Sequence, residues 1–249
     1  MSYEDLAYIE LQDWKRKMSK QPSIFNRLSK RVQTKINSYI PEKVHKTITT
    51  VLKEMIRAVL FGAKYTTSAP AVMRSLLHTE QEVLKVIEKY KKTGAAEGGL
   101  TGAGGFLWGF ADFPLLIGIK IKMLFDIASL YGCDVKDYKE RVYILHIFEL
   151  AFSSQQHRVD VFQKIKDWET IKHQLPGDIH SFDWRSFQQE YRDYIDLAKM
   201  AQMIPGIGAV VGLIANYKLI AQLGKTAMNA YRMRLYHPGH LQKLPLIKY

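Results

Sequence analysis

Asp112, Glu149 and the eight histidines are the residues of this 249-residue chain whose types could do acid–base or metal chemistry. A pair of carboxylates with a histidine can pass protons in a hydrolytic reaction, provided that the three groups converge on one reacting centre. His146 and Glu149 stand three residues apart, so a helix places them on one face. A soluble hydrolase using Asp112, Glu149 and a histidine is therefore one reading of the chain. The histidine spacings do not make a metal site: His237-Pro-Gly-His240 falls in a turn with no cysteine or acid beside it, and His146 with Glu149 is one pair without a second.

Two phosphate-binding patterns begin and then fail. Gly224-Lys-Thr226 ends like a Walker loop, but the earlier glycine would fall at 219, which is Leu219, and no strand precedes it. Gly102 and Gly104 open a dinucleotide pattern whose third glycine would fall at 107, which is Leu107. No cofactor is expected. Cys133 is the one cysteine, which excludes a disulfide scaffold and fits a reducing compartment.

The elements that would position these groups read as helices. Phe25, Leu28, Val32, Ile36 and Tyr39 recur at three- and four-residue steps up to Pro41, with Arg27, Lys30, Arg31 and Lys35 elsewhere on the same helix. Ile48, Val51, Leu52, Met55, Ile56, Val59 and Leu60 form a second set, up to Gly62. Val83, Leu84, Val86, Ile87 and Tyr90 form a third, which Lys91-Lys92-Thr93-Gly94 is expected to end. Arg141–Phe152 and Phe187–Met200 are helix-compatible, with a turn at Leu175-Pro-Gly-Asp between them. Strand-like alternation is absent, and the whole of 1–249 reads as one all-α domain, a multi-helix bundle.

Glycine is unevenly placed: nine of 16 lie between Gly94 and Gly132, and four between Gly206 and Gly224. Each glycine inside a helix costs roughly 1 kcal/mol relative to alanine, so the clusters call for a compensating close approach of backbones. Gly98 and Gly102, Gly105 and Gly109, and Gly208 and Gly212 stand four apart, the spacing of a flat stripe for a second helix. Pro205-Gly206 breaks the second run, and Asp112 and Pro114 interrupt the first. Two glycine-rich apolar hairpins are expected, re-entrant or interfacial in a membrane, or packed tightly in a soluble core. Asp112, just before Phe113-Pro114, is expected to cap a helix start or to hold a charge for a partner or ion.

The net charge of +12 is partitioned. Trp14–Pro41 has eight bases and no acid, Leu197–Tyr249 has seven bases and no acid, and Met1–Asp13 has four acids and no base. Basic runs beside apolar ones suit an anionic membrane surface. They lack the interleaved aromatics of a single-strand groove, and nucleic-acid binding is not expected. Neither an export signal nor a lipid anchor is expected at the chain ends.

Several motifs, in order, resemble the EcsC family of bacterial proteins. They are Tyr8–Lys15 with its Trp14, Gly102-Ala-Gly-Gly-Phe106, Ala111-Asp-Phe-Pro114, Tyr131-Gly-Cys-Asp134 leading to Glu140-Arg141, and Ile204–Tyr217. The family takes its name from the third gene of an operon encoding an ABC transporter, and no enzymatic activity is assigned to it. The resemblance implies a link to an ABC transporter, and together with the basic runs it leads to the expectation of a non-enzymatic accessory protein on the cytoplasmic face of the cell membrane, peripheral or partly inserted, with the transporter subunits or their regulators as partners.

Overall fold

The computed structural model describes residues 1–20, 42–62, 69–72, 75–102, 106–154, 157–195 and 211–236, with the backbone alone at 42–45, 62, 94–102, 106–112, 192 and 211–215. Among the described residues the fold is all-α, with nine α-helices, one 3-10 turn and a lone bridge between Ser153 and Ile195.

Helix α1 (Tyr3–Met18) starts at a reciprocal cap: Asp5 N–H donates to Ser2 Oγ (3.2 Å) while Ser2 N–H donates to Asp5 Oδ2 (2.8 Å). Lys15, Arg16 and Lys17 in its last turn favour the negative end of the helix dipole. Ala7, Leu11 and Trp14, at helical spacing, are its buried stripe.

Helix α2 (Glu42–Gly62) buries Ile48, Leu52, Met55, Ile56, Val59 and Leu60, with Val51 half-buried, as the periodicity predicts. Helix α3 (Leu76–Gly102) buries Val83, Ile87 and Tyr90 but leaves Leu84 about half exposed. The expected stop at Gly94 is wrong. The bases and glycine there carry the signature of a helix end, yet the backbone remains helical through Gly102. Helix α4 (Phe106–Leu130) runs through Pro114, whose ring is exposed.

Helix α5 (Tyr138–Phe152) opens at Asp137, which accepts from Lys139 N–H, and fourteen of its residues are buried. A helix buried all round belongs at the centre of the fold. Around it stand α2, α4, α9 and the short helices that follow: α6 (Arg158–Lys166), α7 (Trp168–Gln174), a 3-10 turn (Ile179–Ser181) and α8 (Trp184–Tyr194). The helix expected over Phe187–Met200 thus starts at Trp184 and gives way at Ile195, which forms the bridge to Ser153. Helix α9 (Val211–Leu235) packs along α3, α4, α5 and α1 and ties the layers together.

The turn after α4 explains one motif. Gly132 has φ +76°, a left-handed conformation that suits glycine, and a Cβ there would stand 3.2 Å from the Ala71 carbonyl oxygen. The short strap that contains Ala71 is held to the end of α4 by Ala71 N–H to the Ser129 carbonyl (2.8 Å) and by Ser129 Oγ to the Ala69 carbonyl (2.9 Å).

Candidate functional site

The carboxyl-terminal half of α9 delivers Tyr231, Arg232 and Arg234 to two buried ionic nests. In the first, Arg232 donates from Nε to Glu80 Oε1 and from Nη2 to Glu80 Oε2, both at 2.6 Å, and from Nη1 to Glu10 Oε2 at 2.9 Å. Glu80, on α3, is wholly buried, and it also accepts from Tyr3 Oη at 2.5 Å and Tyr131 Oη at 2.9 Å. Four donors on one carboxylate satisfy it fully, which is what a buried charge requires. Burial works against the charge on Arg232, but the hydrogen bonds to Glu80 and Glu10 outweigh it and raise its pKa. Burial, then the hydrogen bond to Glu80, pushes the Tyr3 phenol up to about 12.

The second nest gathers on Arg234, two residues further along α9. Glu140, near the start of α5, accepts from Tyr231 Oη at 2.9 Å and from Arg234 Nη1 at 2.7 Å. Arg234 Nε stands 3.4 Å from Glu169 Oε1, and Lys172 also pairs with Glu169. The Arg234 guanidinium lies 4.8 Å from the Tyr143 ring centroid, and Tyr131 stacks on Tyr231 at 5.1 Å. Tyr131, Cys133, Asp134, Glu140, Tyr231 and Arg234 are among the residues lining a cavity of about 350 Å³. Burial, followed by the Glu140 charge, pushes the Cys133 thiol up to about 12, so it is not a thiolate nucleophile near neutral pH. Arg141, beside Glu140, donates to the carbonyls of Leu60, Val135 and Lys136 and so clamps the end of α2 to the turn before α5. The chemistry of this arrangement is charge pairing: Glu80 and Glu140 are both consumed by cations and phenols.

His146 Nδ1 and Glu149 Oε2 do meet, at 2.9 Å, as their spacing predicts. Both are buried, with the rings of Trp168 and Phe187 against the histidine, and Glu149 Oε1 has no hydrogen-bond partner among the described residues. The side chain of Asp112 lies outside the description, so convergence of the three hydrolase candidates is not tested. Its backbone is: Asp112 sits inside α4, which begins at Phe106, and it therefore does not cap the helix containing Pro114. Gly98 and Gly102 fall in α3, Gly109 in α4 and Gly212 in α9. Gly105, Pro205, Gly206, Gly208 and the basic residues Arg27, Lys30, Arg31 and Lys35 lie outside the described residues, as does His237-Pro-Gly-His240. Among the described residues no group of three metal-ligating side chains occurs.

Sequence reasoning quoted Tyr131, Cys133 and Glu140 only as motif residues, and missed Glu80, Arg232 and Arg234 altogether. A signal was present. Glu80 lies on the buried stripe of α3 with Val83 and Ile87, and an acid at a core-facing position implies a buried cation.

An all-α bundle whose motif residues pack around buried ion pairs defines the class, and the comparisons place it. Residues 6–236 match the EcsC protein family, and the chain belongs to that family. It is 47% identical over 236 residues to Protein EcsC of Bacillus subtilis (strain 168), covering 94% of this chain and 97% of that protein. It is also 27% identical over 251 residues to the Uncharacterized protein YdbA of the same organism, covering 90% of each. No solved structure matches the chain.

Proposed function

We propose that this protein works by binding and not by catalysis, as a peripheral accessory protein on the cytoplasmic face of the cell membrane, linked to an ABC transporter. The observation that carries the membrane reading is the partition of charge, with eight bases and no acid over Trp14–Pro41 and seven and no acid from Leu197 onward. Each base near an anionic bilayer contributes about 1 kcal/mol, so a cluster binds where single residues do not. Arg16 and Lys17 at the end of α1 are exposed, on the same helix as the half-exposed apolar Leu6, Tyr8 and Ile9. Among the described residues no helix is long and apolar enough to cross a membrane, which favours adherence over spanning. The binding reading draws on Glu80 and Glu140, both occupied by structural partners. The transporter link rests on the family resemblance.

Sedimentation with vesicles containing anionic lipid tests the membrane reading. Binding is expected at low salt and is lost at high salt. Replacing Arg27, Lys30, Arg31 and Lys35 with glutamine weakens it. In cells the protein is expected in the membrane fraction and is released by a carbonate wash. Absence from that fraction, together with no vesicle binding at low salt, refutes the proposal.

A further inference from the structure

Helix α4 turns an apolar side outward. Phe113, Leu116, Ile117 and Ile121 are buried against the core, whereas Pro114, Leu115 and Gly118 are exposed and Ile119 is half-buried. Leu115, Ile119, Lys122 and Asp126 follow one another at steps of four, three and four, so they share one side of the helix. The outward side of a helix in a soluble bundle is ordinarily polar, yet from Phe113 to Ile119 this chain has no charged residue. Leu115 is 53% exposed, and a Cβ added at Gly118 would meet nothing within 4 Å, so the side is open along two turns.

The same side becomes cationic further on. Lys122, half-buried, pairs with Asp126, and Asp126 Oδ2 also accepts from Tyr90 Oη of α3 at 2.7 Å. Lys89, exposed on α3, carries its Nζ 5.9 Å from the centroid of that Tyr90 ring. Two lysines therefore border the apolar stripe against one acid, which Lys122 and Tyr90 already hold. Lys92, also exposed, adds a third base close by on α3.

An apolar strip edged by lysines is the layout of a helix that lies in a membrane interface. The strip meets the acyl boundary, about 5–10 Å below the surface, while the lysine stems run along it and lift their ammonium groups to the phosphates. A second copy of the chain suits this side less well. It would bring the same lysines, on a protein of net charge +12, against each other. An anionic lipid surface complements both the strip and its edge.

We propose that the outer side of α4 is a lipid-contact face, with Leu115, Gly118 and Ile119 at the headgroup–acyl boundary of an anionic bilayer and Lys89 and Lys122 at the phosphates. The inference rests on the membrane reading above and adds the orientation in which the protein sits. Even a whole myristoyl chain holds a protein only marginally, and two partly exposed aliphatic side chains supply less. The face therefore orients the protein and adds to the electrostatic attraction, and attachment stays sensitive to salt.

Fluorescence on vesicles of phosphatidylglycerol and phosphatidylcholine tests it, with sedimentation of the same samples. An environment-sensitive fluorophore is attached at Leu115→Cys and, for comparison, at Gln189→Cys, which is exposed on α8. Cys133 is largely buried and its thiol stays protonated, and the parent chain serves as the labelling control. At low salt the probe at 115 should shift to the blue and be quenched by nitroxide-labelled lipid, and the probe at 189 should do neither. Leu115→Glu with Gly118→Glu alters two exposed positions, so the melting temperature should hold while vesicle affinity falls about tenfold or more. If the parent sediments with vesicles while the 115 probe remains as wet as the 189 probe, or if the double variant binds at full affinity, the lipid-contact face is wrong and the membrane reading stands. If the parent does not bind vesicles at all, both fall. Shielding of the 115 probe without lipid, in step with dimer formation, would give the face to a second copy and overturn the proposal.

Discussion

The two ends of α9 treat a buried cation in opposite ways. At its carboxyl-terminal end Arg232 meets a wholly buried carboxylate through two bonds of 2.6 Å, and Arg234 meets Glu140 at 2.7 Å. Toward its amino-terminal end, Asn216 faces Lys120 of α4, which is also wholly buried, but here Nζ donates to the Asn216 Oδ1 at 3.1 Å and to the Leu116 carbonyl at 3.4 Å. Both regions strip water from a charge, and among the described side chains only the first returns a full counter-charge. Arg232 is accordingly raised in pKa, while burial brings Lys120 down to about 7. Burial of a charged residue therefore says little by itself about rigidity; the partner decides whether the site locks or stays titratable.

The largest test of that contrast breaks the first region. Glu80→Gln leaves Arg232 buried with Glu10 alone, and Glu10 is mostly exposed. Removing one partner of a buried pair costs about 3–5 kcal/mol, which urea unfolding should register as a lower midpoint at an unchanged slope. Replacing both partners, Glu80→Leu with Arg232→Met, should recover most of that loss, because no unpaired charge remains. If the single variant costs no more than the double, the nest is not the lock its geometry implies.

The next test acts on the second region and has the opposite sign. Lys120 has a folded pKa of about 7 against about 10.4 in an unfolded chain, so between those values the unfolded state binds more protons. Stability therefore rises with pH through that window, by about 3 kcal/mol between pH 7 and pH 10, and the charged penalty is constant below both values. Lys120→Met should raise the melting temperature at pH 7 and remove this component of the slope. Comparing the pH dependence of the variant with that of the parent separates Lys120 from the tyrosines that titrate above it. A parent and variant with parallel profiles would show that Lys120 is not dehydrated in the way its burial indicates.

The all-α class and the stripes of α2 and α3 were legible because helical periodicity is a local signal repeated over many residues. Helix ends were less so. Lys91-Lys92-Thr93-Gly94 looks like a stop, yet α3 continues through Gly102: helix-end residue types are a weak local signal, and α3 as a whole packs on α4 and α9. The cap expected at Asp112 failed for a related reason: Pro114 suggested a helix start, while α4 was already running from Phe106. His146 with Glu149 was visible because the pair lies on one helix. The nests were not, because Glu80 and Arg232 come from segments 152 residues apart, and a single sequence does not show which buried acid meets which base.

The smallest test concerns the packing that brings both regions into register. Gly224 lies on α9 between Asn216 and Arg232, and the glycine clusters were read as a sign of close backbone approach. Here that approach is measurable: a Cβ at Gly224 would fall 2.6 Å from both Cδ1 and Cγ1 of Ile87 on α3. An added methyl group must displace Ile87, which is 5% exposed and set in the core. Overpacking of this kind costs about 1–3 kcal/mol, against roughly 1 kcal/mol that alanine gains over glycine in a helix interior. Gly224→Ala should therefore destabilise modestly, and Ile87→Ala in the same chain should relieve the clash at the expense of lost burial. A stabilised Gly224→Ala would mean that α3 and α9 have room to separate, and then the Glu80–Arg232 pair, which spans the same two helices, would also be looser than its 2.6 Å bonds require.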